Sequence, residues 1–274
     1  MTRYLRKFSL PYMENRQGYP FYVLAPKKLR RLDFEPITIF YGSNGCGKST
    51  LLNIIARKLE LKMSDRGNDA QFLQPVIDKS SFELDPMICM DYMIPVASRF
   101  IRSEEVMHAI VKIRQKNEMM KQHLQTNRPD LYEKFFKSES WTGGVSDYDN
   151  WVYDMLSKLD NAKSNGELAF EYFEGMMSFE TLILLDEPEN SMAPKFQKKL
   201  AGMILDYARF FHCQFIIATH SPFLLAIPGA KIYNLDETPA KVRKVSELES
   251  IRLYKELMSN IQQINETDLL RTNG

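Results

Sequence analysis

The run IFYGSNGCGKSTLLN, residues 39–53, narrows the choice of fold more than any other stretch of the chain. Gly42-Ser43-Asn44-Gly45-Cys46-Gly47-Lys48-Ser49 matches the pattern G-x-x-x-x-G-K-[ST] at every position. Glycines let the backbone wrap an anion, with successive N–H groups turned inward and no side chain in the way. Lys48 supplies a point charge to β- and γ-phosphates, and the Ser49 hydroxyl is a ligand for Mg²⁺. Thr50 completes the candidate nucleotide-binding set. On one side stands Ile37–Tyr41, which predicts a strand; on the other, Ser49–Leu59 carries apolar residues at helical spacing. A helix starting there sets its positive end under the phosphate.

A hydrolytic nucleotide site also needs a carboxylate for the metal and a group that positions water. Thr181-Leu182-Ile183-Leu184-Leu185-Asp186-Glu187-Pro188 offers both. Its unbroken aliphatic run predicts a strand buried on both faces, as in a parallel sheet. Acids at its C-terminal end emerge where such sheets bind ligands. Asp186 is the candidate metal ligand beside Ser49, and Glu187 the candidate general base. A third buried strand is predicted over Gln214–Thr219, followed by His220, whose imidazole could hydrogen-bond a γ-phosphate.

In order and spacing, the loop at 42–49, SNGE at 164–167, LILLDEPEN at 182–190 and ATHS at 218–221 resemble the ABC and SMC-type ATPases. FIIATHSPFLLAIPGAKIYNLDE is similar to the small stand-alone bacterial ATPases labelled AAA family but built on the ABC plan. The resemblance covers most of residues 1–62 and 160–237. It implies an α/β fold of the ABC-ATPase type. A mostly parallel core sheet, an antiparallel N-terminal β part and an inserted helical lid or arm are then expected. It also implies ATP as substrate, Mg²⁺ as cofactor, and Lys48, Glu187 and His220 as catalytic residues. Ser164, Asn165, Gly166 and Glu167 stand where the family's signature contacts the γ-phosphate bound by a second protomer. A head-to-tail homodimer with two shared sites follows from that resemblance. Read from its own residues, Ser164 is a helix cap for a helix from Glu167 onward.

The chain departs from the family at several places. Asn165 replaces a signature glycine, and Ala193 stands where the D-loop has an aspartate. No glutamine has convincing Q-loop spacing; Gln71 and Gln74 are the candidates. Tyr19, Phe21 and Tyr22 include candidates for stacking on adenine, with core packing the alternative for each.

The expected division is an ATPase core at 1–62 and 160–240, an insert at 63–159, and a C-terminal helix and tail at 241–274. Within the insert, 63–80 reads as a polar loop and Ser103 opens a helix carrying Val106, Ile110, Ile113, Met120 and Leu124. Pro129 breaks that helix, and Leu131–Phe136 follows as a short one. Trp141–Gly144 reads as a turn and Asp147–Leu159 as a third helix, too short in all for an SMC coiled coil. Ser246–Ile264 is expected to be helical, with a frayed tail from Thr267.

The net charge of +1 gives no global pull toward nucleic acid or membrane. Lys112, Arg114, Lys116, Lys121 and Arg128 form a local basic run, as do Lys27, Lys28, Arg30 and Arg31. Each is either a solvated face or a DNA contact. Cys46, Cys89 and Cys213 lack paired spacing, which fits a reducing cytoplasm. No apolar run reaches the length of a membrane span, so direct membrane insertion is not expected. Three roles stay open for such an ATPase: a nucleic-acid-associated machine in repair or anti-phage defence, the ATP-binding subunit of a transporter, and a nucleotide-gated scaffold for an effector such as a nuclease.

Overall fold

The computed structural model describes residues 1–13, 18–63, 70–89, 93–136 and 163–272. It divides into two units. The larger comprises Met1–Ser103, Met177–Asn190 and Pro194–Gly274; the smaller comprises Glu104–Met176 with Ser191–Ala193.

Two sheets build the larger unit. The main one runs in the order β5 (Arg99–Arg102), β6 (Leu182–Asp186), β7 (Gln214–Ala218), β3 (Ile37–Tyr41), β8 (Lys231–Asn234) and β9 (Lys241–Arg243). All neighbours are parallel except β8 and β9. The predicted strands at 37–41, 181–186 and 214–219 are therefore its β3, β6 and β7. Every residue of these three is buried, as a doubly covered parallel sheet requires. The second sheet is antiparallel, with β1 (Leu5–Ser9) between β2 (Arg31–Asp33) and β4 (Ser81–Leu84). This is the α/β architecture expected, including the antiparallel N-terminal part.

The helix Lys48–Lys58 directs Leu51, Leu52, Ile54 and Ile55 into the core, where they are fully buried. Each such side chain contributes about 1.5–3 kcal/mol. Side chains splice the two sheets, Tyr233 to Asp33 and Gln214 to Leu5 among them. Gln214, buried at the start of β7, accepts from Leu5 N–H at 2.8 Å and donates to Leu5 C=O at 2.9 Å. The primary amide thus pairs with β1 as a peptide group would.

Within the stretch 63–80 expected to be a loop, residues 70–79 differ, and 64–69 lie outside the described residues. Ala70–Lys79 is a helix whose Leu73, Val76 and Ile77 are buried at i, i+3 and i+4. Pro75 lies inside it and disguises that spacing as a break. β4 and β5 also fall within the stretch expected to be an insert. SFEL and RFIR are too short and too polar to announce strands, yet β4 completes the small sheet and β5 pairs with β6. The larger unit thus takes residues 63–103 and 241–274 beside most of the expected core, while 160–176 falls in the smaller one. The final helix runs from Glu249 to Thr272, beyond the expected Ile264.

Ser103–Asn127 is the helix expected to open at Ser103, and Pro129–Phe136 is a second that starts two residues before the expected Leu131; from Glu104 both belong to the smaller unit. Val106, Ile110 and Leu124 are buried, whereas Ile113 is exposed and Met120 only partly covered. Asn165–Met176 forms a further helix. The turn at 141–144 and the helix at 147–159 lie outside the described residues. No described helix is long and apolar enough to cross a membrane.

Candidate functional site

Register assembles the site. Phe40 and Asp186 both stand opposite Ala218, Arg102 stands opposite Asp186, and Tyr233 opposite Phe40. The chain therefore leaves five parallel strands at one level. The glycine loop after β3, Glu187 after β6 and His220 after β7 rise from that edge together, with β7 between the other two.

The loop is shaped by close approach. Gly47 has φ 107°, and a Cβ there would lie 2.8 Å from Val23 Cγ1. At Gly42 a Cβ would meet Cys46 Sγ at 2.6 Å. Lys48, only 3% exposed, donates from Nζ to the carbonyls of Gly42 at 2.8 Å and Ser43 at 3.1 Å. Its ammonium also lies 3.5 Å from Glu187 Oε1. A buried cation is thus held by its own loop and one carboxylate. Burial pushes the Cys46 thiol up, despite the lowering influence of the Lys48 charge.

The two candidate metal ligands meet. Ser49 Oγ donates to Asp186 Oδ1 at 3.0 Å, and Asp186 is 7% exposed. A hydroxyl and a carboxylate are hard oxygen donors of the kind Mg²⁺ takes, with phosphate oxygens and water completing its shell. Among the described residues no group of three or more His, Cys, Asp or Glu side chains could hold a metal unaided.

Glu187 has φ 47°, a left-handed conformation that costs a glutamate roughly 1–2 kcal/mol. Asn190 Nδ2 donates to its Oε2 at 3.2 Å and to Ser103 Oγ at 3.2 Å. His220, about half exposed, has Nδ1 4.0 Å from Glu187 Oε1 and Nε2 4.0 Å from Glu189 Oε1. The buried Glu189 carboxylate holds the backbone of the histidine loop.

Residues given no role in the sequence reading also stand at this edge. Asp236, after β8, accepts from Ser43 N–H at 2.8 and 3.0 Å and from the Ser43 hydroxyl at 2.7 Å. A cleft of about 390 Å³ opens here, lined by Gly42, Ser43, Asn44, His220, Asp236 and Leu253 among others. Tyr19 Oη donates to Thr50 Oγ1 at 3.2 Å, which leaves Tyr22, 59% exposed, as the freer of the upstream rings. The Q-loop candidates do not reach the site's edge: Gln71 and Gln74 are exposed on the helix Ala70–Lys79, where Gln74 donates to Asp78. The strand beside β6 is β5, and it ends at Arg102 followed by Ser103 rather than glutamine.

In the smaller unit, the helix starts at Asn165, two residues earlier than expected. Ser164 and Glu167 close a capping box: Glu167 Oε2 accepts from Ser164 N–H at 2.9 Å and from its hydroxyl at 3.0 Å. Ser164 Oγ accepts from Glu167 N–H at 3.3 Å. Asn165 and Gly166 form the first turn.

Residues 151–226 match the protein-family model described as "AAA domain, putative AbiEii toxin, Type IV TA system". That stretch carries Ser164, Asp186, Glu187 and His220, and the glycine loop stands two strands from Asp186 in the same sheet. The chain resembles the ABC/SMC-type P-loop ATPases. No curated protein matches it in sequence. Among solved structures, this chain is similar to an Smc head domain from Pyrococcus furiosus, with an extended coiled coil and bound to the C-terminal domain of ScpA. Identity is 13% over 94% of this chain and 100% of that one, with a TM-score of 0.47. A putative metal-chelate type ABC transporter in an inward-facing conformation is 17% identical over 90% and 85%, TM-score 0.45. A dimeric ATP-binding cassette in a post-hydrolysis state, bound to ADP and Pi, is 12% identical over 90% and 100%, TM-score 0.41. The fold stands on strand order and the glycine loop, not on these likenesses.

Proposed function

We propose that this chain binds ATP at Gly42–Thr50 and hydrolyses it to ADP and phosphate, as one half of an ATP-sandwiched homodimer. The observation that carries the reading is the common level of the exits from β3, β6 and β7. It gathers a buried lysine, a hydroxyl–carboxylate pair, a second carboxylate and an imidazole. Ser49 and Asp186 would hold Mg²⁺, which supplies charge neutralisation on the phosphates when bound. Lys48 exchanges its carbonyl partners for β- and γ-phosphate oxygens. Glu187, oriented by Asn190, accepts a proton from the attacking water. His220 donates a hydrogen bond toward the γ-phosphate, and Tyr22 is the ring offered to adenine. Ser164 to Glu167 would close the site of the facing protomer, with the capping box keeping that helix start rigid.

We place this ATPase in a nucleic-acid-associated or defence process. The matched family's description, which names a toxin of a type IV toxin–antitoxin system, supports the defence setting. The basic helix Ser103–Asn127, with Lys112, Arg114 and Lys116 exposed and Lys121 partly covered, is the candidate DNA contact. The deciding experiment uses Glu187→Gln. The amide is nearly isosteric but a far weaker base, so Mg-ATP should still bind while turnover nearly stops. An ATP-dependent dimer should then accumulate in analytical ultracentrifugation. Parental turnover by this variant would remove Glu187 as the base, and a monomer at saturating ATP would remove the sandwich.

A further inference from the structure

The side chain that organises the histidine loop lies within the stretch 182–190 but is neither the metal-ligand nor the base candidate. Glu189 is 5% exposed, and its Oε1 accepts three hydrogen bonds from consecutive residues. They come from the Thr219 hydroxyl at 2.6 Å, the His220 N–H at 2.9 Å and the Ser221 N–H at 3.1 Å. Oε2 is buried without a hydrogen-bond partner. Every hydrogen bond this carboxylate makes among the described residues therefore goes to 219–221. Burying a carboxylate is costly unless hydrogen bonds compensate, and here one loop supplies all the compensation. Loop and carboxylate must move as a body.

We propose that Glu189 is the positioning residue for His220, and that it locks the imidazole to the segment carrying the base. The inference rests on the reading of Glu187 and His220 as hydrolytic groups. The connection is short. Glu189 lies two residues after Glu187, and the next residue, Asn190, donates to the Glu187 carboxylate. His220 stands between the two acids, with a ring nitrogen 4.0 Å from each. Thr219 reinforces the arrangement, since its oxygen also accepts from Ser221 N–H at 2.9 Å. Ser221 then caps the short helix Pro222–Leu225 through Leu224 N–H. A shift of the segment after β6 is thus transmitted to the imidazole through a carboxylate that has nowhere else to bond. Glu189 touches neither nucleotide nor water in this scheme; it acts through His220.

The test is a double-mutant cycle on steady-state ATP turnover, with fluorescent-nucleotide affinity and thermal midpoint measured alongside. Glu189→Gln keeps the shape and an acceptor oxygen but loses the charge that strengthens the three bonds. It should lower kcat about tenfold and leave nucleotide affinity and thermal midpoint near the parental values. His220→Ala should lower kcat at least as much. Because Glu189 works through the imidazole, the combined variant should turn over no more slowly than His220→Ala alone. Thr219→Val, which removes the 2.6 Å bond by an isosteric change, should repeat the pattern and stands in if Glu189→Gln does not fold. Multiplying losses in the combined variant would overturn the proposal, as would a loss seen only in nucleotide affinity or thermal midpoint. An active parent with Glu189→Gln at parental kcat would sink the clamp alone. A parent with no ATP turnover would sink the hydrolytic reading, and this inference with it.

Discussion

Replacing Gly47 by alanine separates two physical costs that the glycine loop avoids, when Gly45→Ala is measured beside it. Both glycines are left-handed, with φ 107° and 81°, so an L side chain at either pays a conformational cost of roughly 1–2 kcal/mol. Their surroundings differ. A methyl at Gly45 meets nothing within 4 Å, whereas one at Gly47 lies 2.8 Å from Val23 Cγ1 and 3.1 Å from Leu24 Cδ2. Carbon atoms settle about 3.5–4.0 Å apart, so the neighbours must retreat by most of an ångström. Val23 is β-branched and stiff at χ1, and Leu24 is buried in the core. Overpacking of this kind costs about 1–3 kcal/mol. Gly47→Ala should therefore destabilise by about 2–5 kcal/mol and Gly45→Ala by about 1–2 kcal/mol. In urea unfolding followed by circular dichroism, with a slope near 3 kcal/mol/M, the midpoints should fall by about 1 M and about 0.5 M. Adding Val23→Ala to Gly47→Ala should recover part of the difference. Equal midpoints for the two alanine variants would mean that residues 19–24 are not seated on the loop.

Gln214→Leu should cost about 2–4 kcal/mol in the same urea assay, because Leu5 N–H and C=O lose their partners in a buried place; a change below 0.5 kcal/mol would refute the splice between sheets. Cys46 should react with iodoacetamide more slowly than an unhindered cysteine at pH 8, because burial raises its pKa and leaves less thiolate. Peptide mapping across pH should show the rate still climbing above the ordinary thiol range, and a plateau within that range would contradict the burial argument. Lys48→Ala and Ser164→Arg should each be inactive alone. Mixed, they should regain up to about a quarter of parental turnover if sites are shared head to tail, while silence after verified subunit exchange counts against sharing. Reversing Lys112, Lys116 and Lys121 to Glu should weaken DNA binding and flatten its salt dependence. Equal salt slopes for variant and parent would return those lysines to a solvated face.

The buried strands are legible because ITIFY, LILLD and QFIIA are covered on both sides and so are mostly apolar, with Thr38 the one polar residue inside them. The two strands that escaped notice, β4 and β5, have polar or charged residues at half their positions. They are held in place by β1 and β6, partners distant in sequence. The same contrast runs through the site. Lys48, Asp186, Glu187 and His220 sit in motifs whose spacing reflects local chain geometry. Asp236 and Glu189 act on backbone groups brought near only by the sheet, so their partners at Ser43 and at 219–221 leave no trace in local pattern. Ser164 illustrates the reverse case. Its capping box is legible in the sequence as S-x-x-E, and the box is what the structure contains.

The order of strands in the main sheet has a temporal side. Ile37 pairs with Phe215, and Phe40 with Tyr233, so the strand before the glycine loop acquires both its neighbours only after most of the chain exists. On a ribosome, the loop would emerge early and wait, with no sheet edge to fix it and no Asp186 for Ser49. Such distant pairings are slow to close, since loop entropy must be spent before any contact offsets it. On the proposed reading, ATP would be held only once β7 and β8 have joined β3, and it would then stabilise the assembled sheet by mass action without guiding its assembly.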